Sequence, residues 1–211
     1  YALLEGGRLW DDEMLTEQGR TLLTLIDREE VEDLPGLGPT LLPAPFGFAL
    51  DDGSWRLNPS YAPIQVLQAL ARHDPEGPWG AVSDSSVRML REGAPHGLAA
   101  DWLRYHPEEG FGPDPVTGPL GSHDAIRTYL WAGMLHDDSP HKPVVDGKLQ
   151  GMVRAWRQRG DVPEKIDPFR GDAGTTAGPV GFLAAIAPQL MGLGRPDDRA
   201  RLQDDIEFQR S

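Results

Sequence analysis

Apolar residues recur at three- and four-residue spacing through most of this chain, and that period predicts helices. The clearest stretches run over roughly 1–10, 13–31, 61–73, 79–92, 122–136, 142–159, 179–191 and 196–209. Between them lie long loops rich in glycine and proline, 25 and 20 residues of each in the chain. Strict alternation of apolar and polar positions is nearly absent, so strands are expected to be few. The exception is an extended piece at 47–57, where Asp51-Asp52-Gly53 suits the turn of a hairpin. No long internal self-similarity is visible, which gives no support to a simple solenoid. Helix, long loop, helix is the pattern of an all-α array whose loops build one functional face.

One helical stretch carries chemistry as well as period. Ser122-His123-Asp124-Ala125-Ile126-Arg127-Thr128-Tyr129-Leu130-Trp131 reads as a helix opening, with Ser122 as N-cap and Asp124 in the first turn. Asp124, Arg127 and Trp131 fall on one face, and Ile126, Tyr129, Leu130 and Met134 make a greasier face beside it. A carboxylate there, with a guanidinium one turn on, has the makings of a general base held ionised at neutral pH. The same spacing equally suits a dipole-stabilising aspartate in an i,i+3 salt bridge.

Composition narrows the partners. The 211 residues suffice for one good-sized domain or two small ones, and 39% hydrophobic with 25% charged content is that of a globular chain. A net charge of -13 with no block of Lys or Arg argues against nucleic acid and fits a neutral substrate. There is no cysteine, which excludes disulfides and thiolate metal sites. No apolar run is long enough to span a membrane. Tyr1-Ala2-Leu3-Leu4-Glu5 has neither a basic leader region nor an initiator Met and reads as the middle of a helix. Asp204–Ser211 also stops inside a helical pattern, so the chain is expected to be a fragment open at both ends.

Several motif-like stretches carry no catalytic reading. Leu34-Pro35-Gly36-Leu37-Gly38-Pro39 holds a Gly-x-Gly, but no strand is expected to lead into it, and 171–178 is glycine-rich without a following Gly-Lys-Ser/Thr. The histidines at 73, 96, 106, 123, 136 and 141 form no zinc-binding pair, and no metal or other cofactor is expected. Ser122-His123-Asp124 is not a triad, because adjacent residues cannot form the relay. Two clusters say more. Ser54-Trp55-Arg56-Leu57-Asn58-Pro59-Ser60-Tyr61 and Asp101-Trp102-Leu103-Arg104-Tyr105 mix aromatics with hydrogen-bonding groups. Sugars offer flat C–H faces ringed by hydroxyls, so their sites combine aromatic platforms with polar groups. Trp55, Tyr61, Trp102 and Tyr105 are candidate platforms, and Asn58, Asp101 and Arg127 are candidate hydrogen-bonding groups; core packing is the competing role for the aromatics.

With these stretches in place, the chain resembles glycoside hydrolase family 8, in particular the branch of endoglucanases that accompanies bacterial cellulose synthase. The motifs that carry the resemblance are Leu3-Leu4-Glu5-Gly6-Gly7-Arg8-Leu9-Trp10, Pro35-Gly36-Leu37-Gly38, Leu42-Pro43, Gly47-Phe48-Ala49, Trp55–Tyr61, Asp101–Tyr105, Asp124-Ala125-Ile126-Arg127 and Gly178-Pro179-Val180-Gly181-Phe182. Their common order makes the match specific where any single one is weak.

The resemblance implies an (α/α)6 barrel, incomplete here, with residues 1–211 forming part of one catalytic domain. It implies inverting hydrolysis of β-1,4-glucan, with the Asp of Asp-Ala-x-Arg as general base, here Asp124. Arg127, and Tyr61 of Asn-Pro-Ser-Tyr, then lie at the cleft around the reacting sugar and water; Asn58 and Trp102, from the two clusters above, are the further substrate contacts expected. Periplasmic or secreted placement, and work beside the cellulose synthase complex, are implied in the same way. Two departures stand out. The family usually has Tyr before the base, where this chain has His123. The family's general acid is a Glu upstream of anything in these residues, so this piece alone is expected not to hydrolyse cellulose. The rival expectations are a chitosanase or xylanase of the same family, and a non-catalytic glycan-binding or assembly protein that keeps the cleft.

Overall fold

The computed structural model describes residues 1–193 and 196–210. Its first helices pack on their neighbours in sequence. Helices α1 (Ala2–Trp10) and α2 (Glu13–Glu30) are joined by a two-residue turn. Asp11 takes a left-handed conformation (φ 53°) to end α1, and the Asp12 carboxylate accepts from the Leu15 N–H at 3.1 Å to start α2. Glycines let the two helices touch: a Cβ on Gly7 would meet Thr16 Oγ1 at 2.1 Å.

Helices α3 (Ile64–His73) and α4 (Trp79–Glu92) pair next, followed by α5 (Ala125–Met134), α6 (Lys142–Lys148), α7 (Gly151–Arg159), α8 (Val180–Gly192) and α9 (Pro196–Arg210). The Ser211 end of the helical pattern lies outside the described residues. Helices α5 and α8 pack most closely, because Gly133 faces the α8 backbone; a Cβ there would lie 2.3 Å from Gln189 N. Among the described residues no helix is long and apolar enough to cross a membrane.

Three expectations about helices need correction. The stretch 142–159 is two helices, broken at Leu149-Gln150. The break lets the Gly151 N–H reach Gly97 O at 2.8 Å, an approach no residue with a Cβ could make. The stretch 61–73 starts as α-helix only at Ile64; Pro59–Tyr61 is instead a 3-10 turn. Ser122 is not the N-cap of α5, a position that falls to Asp124.

Strands are short but more numerous than the pattern suggested. β1 (Val31–Leu34) and β2 (Gly38–Leu41) form one hairpin, and β6 (Ile166–Asp167) and β7 (Asp172–Ala173) another. Between them in sequence, β3 (Trp55–Leu57), β4 (Leu103–His106) and β5 (Gly110–Pro113) form an antiparallel sheet of order β3-β4-β5, with Leu57 opposite Leu103 and Trp55 opposite Tyr105. A strand therefore does lead into Leu34–Pro39, but it returns as a strand and opens no helix, so the loop is a hairpin turn. The hairpin expected about Asp51-Asp52-Gly53 is present, with Leu50 N–H donating to Ser54 O at 2.8 Å and Arg56 N–H to Phe48 O at 2.8 Å.

Three apolar clusters hold these pieces. The largest joins α5, α7 and α8 through Tyr129, Val153, Trp156 and Ile186, all fully buried. A second packs Leu57, Leu103 and Tyr105 of the sheet against Met89 of α4, and a third gathers Leu4, Leu67, Trp79 and Val82. Full burial of each large side chain contributes about 1.5–3 kcal/mol. The consequence for function lies at the sheet: its strands run into the 3-10 turn on one side and end beside the start of α5 on the other.

Candidate active site

Asp124 stands at the N-terminal end of α5, where the unpaired N–H groups and the helix dipole favour an anion. Those N–H groups are claimed by another carboxylate. Asp101, at the edge of β4 and 9% exposed, accepts at Oδ1 from the backbone of Ser122 (2.7 Å), Asp124 (3.1 Å) and Ala125 (2.7 Å). Ser122 turns its hydroxyl away, to Glu164 O at 2.7 Å. Asp101, expected to meet sugar, is therefore the cap that the sequence assigned to Ser122.

With its backbone fixed in this way, Asp124 directs its carboxylate outward. Oδ1 accepts from Arg127 Nη2 at 2.6 Å, the i,i+3 pair foreseen from the spacing, and Oδ2 accepts from Asn58 Nδ2 at 3.0 Å. The same Arg127 nitrogen donates to Ser60 Oγ at 3.0 Å. Asn58 Oδ1 accepts from the Ser60 N–H at 3.0 Å and from its hydroxyl at 2.7 Å. Trp131, on the same face of α5, donates its indole N–H to Ser60 O at 3.2 Å. The Asp124 side chain remains 26% exposed and that of Arg127 41%.

Beside the carboxylate lies a short aromatic surface. Tyr61 is 47% exposed, with the Arg127 guanidinium 5.7 Å from its ring centre. It meets Trp102 edge-on at 5.8 Å, and Trp102 stacks on Phe48 at 5.7 Å with their planes 4° apart. Arg56 lies over Trp102 at 4.9 Å and is itself held by Asp114 through two bonds of 2.6 and 2.9 Å. Burial alone would push the Asp114 carboxyl up; the Arg56 guanidinium and the Thr117 hydroxyl and N–H overcome this and hold it below its ordinary value.

The expected residues divide clearly. Asp124, Arg127, Tyr61 and Trp102 come together on one face. Asn58 joins them from behind: it is 4% exposed and turned toward Asp124 and Ser60, not outward toward a sugar. Tyr105 is 1% exposed, its ring 4.9 Å from Phe111 and its hydroxyl bonded to Pro35 O, so it is core. Trp55 is half-buried on the sheet with its indole N–H on Glu32. His123 is exposed and meets Phe182 edge-on at 5.0 Å. Phe48 and Ser60 were missed as contributors, although both lie inside quoted motifs. Among the described residues, no group of three His, Cys, Asp or Glu is placed to hold a metal.

The geometry offers a carboxylate with donors on both oxygens, open on one side to water and bordered by aromatic rings. The chain is similar to proteins named Endoglucanase. An Endoglucanase of Xanthomonas axonopodis pv. citri is 49% identical over 196 residues, 93% of this chain and 50% of that one. An Endoglucanase of Salmonella typhi is 43% identical over 194 residues, 92% of this chain and 52% of its own. The chain thus spans about half the length of the curated relatives it matches. The crystal structure of an endo-1,4-D-glucanase from Vibrio fischeri ES114 superposes with a TM-score of 0.91 at 37% identity, over 99% of this chain and 60% of that one. The paired helices are those of the (α/α)6 barrel, with no closed sheet among the described residues. Residues 1–201 match the family described as Glycosyl hydrolases family 8, and the chain belongs to it.

Proposed function

We propose that this chain is the base-bearing part of an inverting endo-β-1,4-glucanase, with Asp124 as general base. The observation that carries the reading is the Asp124 carboxylate, bonded to Arg127 and Asn58 yet 26% exposed beside Tyr61 and Trp102. In an inverting reaction a water on one face of the sugar gives its proton to a carboxylate as its oxygen attacks the anomeric carbon. A second carboxyl, roughly 6.5–9.5 Å away, protonates the leaving glycosidic oxygen. Asp124 takes the first role. Arg127 holds its Oδ1 by a hydrogen bond and supplies a further donor toward the attacking oxygen or a sugar hydroxyl. Tyr61 and Trp102 form the platform against which a glucosyl ring lies. A neutral polymer suits a chain of net charge -13 better than an anionic one.

The acid is the other half of the machine. Asp101 is committed to capping α5 and is no substitute. We assign the acid to the part of the domain that the longer relatives possess and this chain does not span. The 211 residues alone are then inactive on cellulose. Work on the product side of cellulose synthesis, in the periplasm or outside the cell, is the setting that suits such an enzyme. Xylan and chitosan are the competing substrates within the family.

The test is reducing-end release from carboxymethylcellulose by a longer protein carrying the complete catalytic domain, with the 211-residue chain alongside. Cleavage by the first and not the second supports the reading. Cleavage of chitosan or xylan in place of cellulose replaces the substrate, and binding without cleavage of any of the three replaces the enzyme by a glycan-binding protein.

A further inference from the structure

The hydrogen bonds around Asp124 close into a ring whose donors can run in only one sense. Ser60 has a single hydroxyl proton. Its oxygen faces an Arg127 nitrogen, which can only donate, so the Ser60 proton goes to Asn58 Oδ1 at 2.7 Å. Asn58 Oδ1 also accepts the Ser60 N–H at 3.0 Å, which fixes the orientation of the amide. The Asn58 nitrogen is thereby forced toward Asp124 Oδ2, at 3.0 Å. Arg127 closes the ring on Oδ1 at 2.6 Å. Its inner half, Asn58 and Ser60, is buried and held in place. Asn58 is 4% exposed, Pro59 restricts the backbone between Asn58 and Ser60, and the Trp131 indole pins the Ser60 carbonyl to α5.

The geometry points to Asn58 and Ser60 as positioning residues that hold the Asp124 carboxylate aimed at the attacking water. This inference rests on the reading of Asp124 as general base. An N–H on each carboxylate oxygen fixes the plane of the group while leaving its outer lone pairs free. Asn58 thus acts on catalysis through Asp124 and without touching the sugar. Ser60 acts one bond further back, by setting which end of the amide faces Asp124.

The experiment uses a longer protein with the complete catalytic domain and follows kcat and KM on soluble β-1,4-glucan oligosaccharides against pH. The variants are Asn58→Asp, Ser60→Ala and Asp124→Asn, each first checked for a cooperative thermal transition. Asn58→Asp places a second carboxylate against Asp124, and two such groups share a proton, raising one pKa. Its acid limb in kcat should move up by about one pH unit or more, a roughly tenfold loss at acid pH that recovers as pH rises, with KM within about twofold of the parent. Ser60→Ala removes one of the two donors to Asn58 Oδ1 and the hydroxyl that Arg127 meets, while the backbone N–H at position 60 stays, and should lower kcat about threefold with KM little changed. It also serves as the deciding variant if Asn58→Asp does not fold. An unshifted acid limb with a raised KM in Asn58→Asp would overturn the inference and return Asn58 to the sugar. Parent-like kcat in a folded Ser60→Ala would overturn it too. Full activity in Asp124→Asn is a different failure, that of the base assignment itself.

Discussion

Asp101 Oδ1 lies 3.1 Å from the backbone nitrogen of Asp124, so one carboxylate holds the residue that carries the other. The two groups divide the start of α5 between them: Asp101 satisfies the orphan N–H groups, and Asp124 is left free to face outward. Asp101→Ala leaves three backbone donors without their partner, two of them on residues that are buried. The expected loss is about 1–3 kcal/mol of folding stability. Asp101→Asn, which keeps an acceptor oxygen, should lose less. Urea denaturation of the two variants orders them, and equal stability of Asp101→Ala and parent would refute the capping role.

Asp124→Asn tests the reaction. The amide keeps the shape and still accepts from Arg127, but it cannot take a proton from water. Loss of a general base is worth about 10²–10⁴-fold in turnover. Oligosaccharide binding should survive within a few fold, because Tyr61 and Trp102 are untouched. Single-turnover rates and calorimetric binding on the same sample separate the two effects. Parent-like turnover would remove Asp124 from the base position.

The aromatic surface makes the opposite prediction. Trp102 stacks on Phe48, meets Tyr61 edge-on and lies under Arg56, so it is held before any ligand arrives. A platform fixed in advance costs a ligand little ordering entropy. Trp102→Ala should weaken glucan oligosaccharide binding about tenfold, near 1.4 kcal/mol, and raise KM more than it lowers kcat. If affinity for the oligosaccharide is unchanged in a folded Trp102→Ala protein, the sugar lies elsewhere.

How much of this was legible in the letters depends on how local each feature is. Helix periods survive because a buried stripe must repeat every three to four residues, and the Asp124–Arg127 pair survives because one turn of α5 brings the two together. Asn58 was found as a residue but not in its role, since it meets Asp124 across 66 positions of sequence, and only the packing of the 3-10 turn on α5 creates that contact. Ser122 looked like a cap because a serine commonly caps, whereas the donors went to Asp101, 21 positions earlier and just before β4. Tyr105 and Trp55 looked like platforms because composition cannot show that Pro35 O and Glu32 wait to satisfy their polar ends. The four-residue strands were missed for a simpler reason. Over Leu103–His106 the alternation of buried and half-buried positions lasts two cycles, too few to register as a period.

The Asp114–Arg56 pair ties stability to pH and, through Arg56, reaches the platform. The Asp114 side chain is wholly buried, while that of Arg56 is 16% exposed and lies over Trp102. Despite the burial, Arg56 and Thr117 hold the Asp114 carboxyl below its ordinary value of 3.8. A group with a lowered folded pKa binds fewer protons in the folded than in the unfolded chain at acid pH. Its contribution is therefore complete above about pH 4 and disappears as pH falls through the folded value. Asp114→Asn should cost about 1.5–3 kcal/mol at pH 7, the worth of hydrogen bonds to a charged group. The gap between parent and variant should then narrow as the pH is taken from 5 to below 3, because the parent alone loses this contribution. Urea midpoints across that range measure the gap. A gap of constant width would mean that Asp114 stabilises by shape and not by charge. Because Arg56 is released in the variant, a rise in KM at pH 7 should accompany the loss of stability, and Thr117→Val, which weakens Asp114 without removing it, should show the smaller version of both.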